Sequence, residues 1–268
     1  MRITRTIFYF MIIILGFLQS VCAEKKTVVL DNFYNNEFDE ITGKPFHYLW
    51  EDKNMSGFSQ LGDLFQKEGA TLFTLKEKPN RINLKDANIY IIVDPDTDLE
   101  SAHPNYMDKK AAIDISDWVK NGGIILILAN DYKSCNLETL NILTSMFNIK
   151  FNNTLLHPEK SKSGISRDFD SCASKYLPNH PLFCGVSKIF IKEIASITCE
   201  KPAKPVLEEN GQVLMAECSF GKGYVLAIGD PWLYNEYIDH ALLPKNFDNM
   251  KAAENLVNLL LSYTKGNK

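Results

Sequence analysis

Four apolar runs in this chain each lead into an aspartate: TVVLD ending at Asp31, YIIVD at Asp94, IILILAND at Asp131 and VLAIGD at Asp230. Short apolar, β-branched runs of this kind are strands buried on both faces, which belong to a parallel sheet covered by helices. Ligands of such sheets lie beyond the carboxyl ends of the strands. If the four strands are neighbours, Asp31, Asp94, Asp131 and Asp230 line one edge, where carboxylates accept hydrogen bonds from a polar ligand. The competing role for each aspartate is to cap the following helix or turn, because its side chain accepts orphan backbone N–H groups.

Aromatic, polar segments stand beside these strand ends. The loop Phe46-His47-Tyr48-Leu49-Trp50-Glu51-Asp52 and the run Asp230-Pro231-Trp232-Leu233-Tyr234-Asn235-Glu236 share flat rings beside carboxylates, and the second adds an amide at Asn235. Such a mixture suits a sugar, whose C–H faces stack on aromatics while its hydroxyls hydrogen bond. It also suits an aromatic lid packed over a sheet. The candidate ligand set is Asp31, His47, Trp50, Glu51, Asp94, Asp96, Asn130, Asp131, Asp230, Trp232, Asn235 and Glu236, with no catalytic residue assigned.

Other chemistries lack their residues. Asp94-Pro95-Asp96-Thr97-Asp98 opens like a calcium loop, but Leu99 stands where that loop needs glycine and Asn105 where it needs glutamate. A looser divalent-cation site on Asp94 or Asp96 is the alternative to a Pro-Asp turn there. The five histidines show no metal-binding spacing, and no Cys/His pair is placed for zinc, so neither a metal nor a cofactor is expected. There is no GxSxG, GxGxxG or GxxxxGK[ST], and Cys135 comes too late after its strand for a nucleophile elbow.

Residues 1–23 have the form of a signal peptide: Arg2 and Arg5, an apolar core from Ile7 to Leu18, and Val21-Cys22-Ala23 as cleavage site. The core is short for a stable membrane span. A periplasmic or secreted protein is the expectation, with Cys22 leaving a lipoprotein as the variant. The mature chain carries 27 basic against 33 acidic residues, a net charge of −6, and has no Lys/Arg block. A nucleic-acid partner is therefore not expected, and an acidic sugar would need a local basic contact. Five cysteines remain, of which Cys172 and Cys184 bracket an irregular stretch and are candidates for a disulfide.

The elements that must position these residues alternate. Strands are expected at 26–31, 71–75, 88–93, 123–129 and 149–152, and helices at 56–69, 107–121 and 136–147. Ser56 is the expected cap of the first helix, and Gly69 and Gly122-Gly123 close the first two. Alternation of this kind is doubly wound α/β. Residues 153–187 break it as an irregular insertion, an antiparallel hairpin (212–218 and 223–229) turns at Phe220-Gly221-Lys222-Gly223, and a helix over 248–264 ends the chain. Residues 24–268 form one domain.

Taken together, VVLDNFYNNE, PFHYLWEDKNMSGFSQLG, IYIIVDPDT, NGGIILILAND and GKGYVLAIGDPWLYNEY resemble the glutamine-amidotransferase-like domain attached to some bacterial unsaturated rhamnogalacturonyl or glucuronyl hydrolases of glycoside hydrolase family 105. The resemblance spans nearly the whole mature chain. It implies a three-layer, flavodoxin-like fold of the class I glutamine-amidotransferase type, with a mainly parallel sheet and a C-terminal antiparallel hairpin. It also implies a setting in the degradation of pectin- or ulvan-like polysaccharides, encoded in a polysaccharide utilisation locus. The hydrolase activity of those proteins belongs to a separate helical barrel, for which this chain has no room. The amidotransferase cysteine is missing too, since Asn130-Asp131 follows the strand. The expected function is carbohydrate binding or an accessory role, with an oligosaccharide or a polysaccharide-degrading enzyme as partner. A hydrolase using paired aspartates at the strand edge and a docking module are the alternatives.

Overall fold

The computed structural model describes residues 25–39, 41–159, 161–162, 166–167 and 169–264. The segment read as a signal peptide lies outside the described residues. A nine-stranded sheet runs through the molecule: β1 (Thr27–Asp31), β2 (Thr71–Leu75), β3 (Ile89–Val93), β4 (Ile124–Leu128), β5 (Ile149–Phe151), β6 (Ile197–Cys199), β7 (Lys204–Glu209), β8 (Gln212–Phe220) and β9 (Gly223–Ile228). Its spatial order is β2-β1-β3-β4-β9-β8-β6-β5, with β7 also paired to β8. The pairs β2/β1, β1/β3, β3/β4 and β4/β9 are parallel, and the pairs beyond β9 are antiparallel. Five parallel strands in the order 2-1-3-4 plus a later fifth make the flavodoxin-like arrangement, whose direction of winding reverses between β1 and β3.

Alternation along the strands assigns the layers. Val28, Leu30, Ile89, Ile91, Ile124 and Leu126 face α1 (Ser59–Lys67) and α4 (Asn249–Tyr263), packing on Leu61, Phe65, Leu256 and Leu260. Val29, Tyr90, Ile92, Ile125 and Ile127 face α2 (Lys109–Lys120) and α3 (Leu137–Thr144), packing on Ile115, Val119 and Leu140. With helices on both faces, β3 and β4 have no polar position and every residue is buried. The result is a three-layer α/β fold with a mainly parallel sheet and a C-terminal antiparallel hairpin.

Helix ends follow local chemistry, with one correction. The Asp108 side chain caps α2 by accepting from Ala111 N at 2.8 Å, and Asn136 caps α3 through Thr139 N at 3.1 Å. Ser56 does not cap α1. Phe58 holds that position without a side-chain hydrogen bond, while Ser56 is buried and its carbonyl accepts from Tyr48 N at 2.9 Å. The aromatic loop thus claims the serine before the helix can. Gly123 ends the loop after α2, and a Cβ there would lie 2.4 Å from the Trp118 ring.

The span 153–187 is less irregular than its composition suggests. Leu156 bridges to Ile194, Ala173–Ser174 pairs with Ile189–Phe190, and the turn Pro181–Phe183 packs against α4, with Asn255 Nδ2 donating to Leu182 O at 3.0 Å. Cys172 and Cys184 are both free, the first buried and the second exposed, so the disulfide reading is corrected.

Candidate functional site

The strand register sets Val93, Leu128 and Ile228 side by side and Asp31 at the end of β1, so the four strand-end aspartates do share one edge. Their side chains turn inward onto the loops. Asp31 Oδ2 accepts from Tyr34 N at 2.7 Å and Phe33 N at 3.2 Å, and its Oδ1 accepts from the Tyr90 hydroxyl at 2.5 Å. Burial nevertheless pushes its pKa up to about 6. Asp230 accepts from Trp232 N at 2.6 Å and Lys192 N at 3.1 Å, and burial raises it to about 8. Asp131 accepts from Lys133 N at 2.8 Å, and its pKa is also raised by burial. These three aspartates organise backbone, as the capping alternative requires.

Asp94 differs. It sits at a positive φ of 41°, a left-handed conformation that aspartate tolerates better than most residues. Its Oδ2 accepts from the Tyr48 hydroxyl and from Asn130 Nδ2, both at 2.9 Å, while Oδ1 is buried without a partner. Asp96 is likewise half-satisfied: Oδ2 accepts from Asn36 N at 2.9 Å and Oδ1 has none. Burial pushes both up to about 7. Glu100 nearby is pushed up to about 9, by burial first and then by the charges of Asp94 and Glu37.

The aromatics close over this edge. His47 Nδ1 lies 2.7 Å from Glu37, and His47 and Tyr48 take successive positive φ values of 59° and 47°. That double left-handed step drives the Tyr48 ring into the core toward Asp94, 6.2 Å from the Trp232 ring in an edge contact. The Lys192 ammonium covers the Trp232 ring at 4.1 Å and is itself held by Glu159 and Glu193 at 3.1 and 2.8 Å. Asn235 Oδ1 accepts from Tyr237 N at 2.9 Å, so it caps a turn. The Glu236 side chain lies outside what the structure describes.

An open space lies to one side of that edge. A groove of about 750 Å³ runs along β2, the outer strand of the parallel half, between it, α1 and the aromatic loop. Trp50 forms its inner wall: the indole Nε1 donates to Phe73 O at 3.2 Å, and Gly62 on α1 leaves the room that the ring fills, since a Cβ there would come within 3.0 Å of it. Phe73 stands 55% exposed on the lip. Glu51, Asp63 and Gln66 line the groove as exposed polar groups, and the exposed Lys44 and Lys76 flank it with no ion pair among the described residues. Trp50 and Glu51 are the two sequence candidates that reach this space; Asp31, Asp94, Asp96, Asn130, Asp131, Asp230 and Trp232 belong to the closed edge. Phe73 and Lys76 were not singled out from sequence, because an apolar residue in a strand reads as core unless the strand is known to be an outer one.

Among the described residues, no three His, Cys, Asp or Glu side chains form a metal-holding group, and no helix is long and apolar enough to cross a membrane. Cys135 is buried before α3, and burial pushes its thiol well up, opposite to what a nucleophile needs.

No family model matches the chain, and no curated protein matches it in sequence. Among solved structures it is similar to the mmIFT52 N-terminal domain, at 14% identity over 88% of this chain and 98% of that one, with a TM-score of 0.64. It is also similar to the cytoplasmic proteins STM3548 from Salmonella typhimurium (16% identity, TM-score 0.55) and STM1381 from Salmonella typhimurium LT2 (13%, 0.55), each over 88% of this chain and 98% of the other. At such identities the likeness shows the shared α/β fold alone.

Proposed function

We propose that this protein is a carbohydrate-binding or accessory module in the breakdown of a uronate-containing polysaccharide, and that the groove along β2 takes the sugar. The observation that carries this reading is the pairing of an exposed aromatic with two exposed lysines that have no ion pair among the described residues. Phe73 offers a face for the C–H side of a sugar ring, and Lys44 and Lys76 offer charge to a carboxylate. On a chain with a net charge of −6 outside its leader, a polyuronate is repelled at long range, so these two lysines supply the local contact it needs. Glu51, Asp63 and Gln66 supply hydrogen-bond partners for hydroxyls. The volume falls in the range of small-molecule sites, roughly 300–1,000 Å³.

The resemblance to domains attached to family 105 hydrolases supports the same polysaccharide setting, and the leader-like segment supports a role outside the cytoplasm. Binding is favoured over catalysis because the strand-end carboxylates face loop backbone and the Tyr48 ring instead of the groove. Calorimetry with pectin- and ulvan-derived oligosaccharides tests the proposal, with Lys76→Ala and Phe73→Ala as companions. A charge-assisted hydrogen bond is worth about 1.5–3 kcal/mol, so Lys76→Ala is expected to weaken binding by about ten- to a hundredfold. Both residues are exposed, so the melting temperature should hardly move.

A further inference from the structure

Away from the groove, we infer that His157 is a proton-operated latch: charged, it holds the tip of β7 to the strap 189–194, and on losing its proton it releases Glu209 and loosens the crevice that Glu209 lines. This inference does not depend on sugar binding in the groove.

The crevice has a volume of about 320 Å³. Asp170, Ala173, Lys175 and Tyr176 line one side, and Glu208, Glu209 and Asn210 at the tip of β7 line the other. His157 ties that tip to the chain behind it. Its Nδ1 lies 3.0 Å from the Ile191 carbonyl and its Nε2 lies 3.1 Å from Glu209 Oε2. The backbone that carries the ring is held on the strap side: Glu193 N donates to His157 O at 3.1 Å, and Ile191 N donates to Cys172 O at 2.9 Å. β7 itself pairs with β8 through two register shifts, so the tip gains most from a side-chain tie.

The two partners of the ring fix its protonation. A carbonyl cannot donate, so Nδ1 must carry a proton. Burial works against an ionised Glu209, but its hydrogen bonds and the charge of His157 outweigh that and hold the carboxyl below its ordinary value. Glu209 therefore does not donate either, and Nε2 must carry a second proton. The ring so placed is an imidazolium, and the hydrogen bond to Glu209 is the first cause of its raised pKa. A neutral ring has one proton to share. Ile191 is fully buried and its carbonyl cannot turn to water, whereas Glu209 stands at an open crevice, so the proton stays on Nδ1. The Nε2 lone pair then faces a carboxylate, and Glu209 turns away. The two side chains are 20% and 16% exposed, enough for protons to reach them from solvent.

Other charges nearby do not replace the imidazolium. Asp230 acts on the ring through its charge. Lys192 is held by Glu159 and Glu193 at 3.1 and 2.8 Å, and Lys188 and Lys175 meet Asp170 at 3.1 and 4.0 Å. The latch is thus closed between the lowered value of Glu209 and the raised value of His157, and it opens as pH rises through the latter.

The test follows the His157 ring by NMR from pH 5 to 9 in the full mature chain, with amide hydrogen exchange over the same range, corrected for its intrinsic pH dependence. The expected result is a His157 midpoint above the ordinary 6.5, and several-fold faster exchange in β7 and in the pair 173–174/189–190 above that midpoint, with β3 and β4 unchanged. His157→Asn, which does not titrate and tolerates the positive φ of 47° at this position, should abolish the step. Glu209→Gln keeps an acceptor but removes the charge, and should lower the His157 midpoint. Should His157→Asn fail to fold, Glu209→Gln carries the comparison. A His157 midpoint at or below 6.5, or one unmoved by Glu209→Gln, would overturn the inference. So would an exchange step that survives in His157→Asn, which would belong to Asp230, whose Oδ2 accepts from Lys192 N in the same strap.

Discussion

At the residue scale, the strand-end aspartates show that one residue type at one recurring position serves different tasks. Asp230 holds two backbone N–H groups and is fully buried, so its removal strands two donors. Asp230→Ala is expected to cost about 1–3 kcal/mol, which in a chain of this size lowers the melting temperature by roughly 2–4 °C per kcal/mol. Differential scanning calorimetry checks it, and groove binding should persist in the variant. Titration gives a second expectation. Asp31 and Asp230 have folded pKa values of about 6 and about 8, above the ordinary aspartate value of 3.8, so between pH 4 and 8 the folded state holds more protons than the unfolded one. Stability should therefore fall as pH rises across that window. His157 acts in the same direction: its pKa is raised by a hydrogen bond to Glu209, and the stability it adds is lost as pH rises through that raised value. Melting temperatures from pH 5 to 8 should decline steadily, and a rise would show that these carboxylates are not buried as described.

At the element scale, the strands with continuous apolar runs were legible. β1, β3, β4 and β9 are buried on both faces, and that burial is written directly into TVVLD, IYIIV, IILIL and GYVLAI. β6 and β7 were not legible. β6 has three residues with only Ile197 fully inward, and β7 carries Pro205 and two register shifts against β8 that break any alternation. The insertion was read as irregular because long-range ties hold it, and composition does not reveal those. One of them runs from His180 to Glu217 on β8, at 3.3 Å; Glu217 also meets the Tyr224 hydroxyl at 2.5 Å and Lys204 at 2.9 Å. The hydrogen bond with His180, with those from Tyr224 and Lys204, holds the Glu217 carboxyl down to about 2 despite burial. Its contribution to stability is present above the ordinary glutamate value and is lost only as pH falls toward 2, so it is constant near neutrality. His180→Ala should therefore loosen the segment around 176–187 at neutral pH, read as faster amide hydrogen exchange there with β3 and β4 unchanged.

At the scale of the whole molecule, the sequence pointed to the carboxyl edge of the sheet but not to the open space. Four aspartates after four strands located the carboxyl edge, and the aromatic loop was legible as sugar site or lid. Which of the two it is depends on where Tyr48 goes, and successive left-handed residues at His47 and Tyr48 are invisible in composition. The loop fills the crevice above β3 and, in doing so, builds one wall of the groove beside β2 with Trp50. The open space thus lies beside the outer parallel strand, where Phe73, Lys44 and Lys76 are exposed together. The measurement that tests this most directly is calorimetric titration of the mature protein with uronate-containing oligosaccharides, run alongside the double variant Lys44→Glu/Lys76→Glu. Saturable binding by the wild type that weakens as salt rises and disappears in the double variant, with the melting temperature preserved, is the predicted result. Absence of binding at millimolar oligosaccharide, or equal binding by both proteins, would contradict the assignment of the groove.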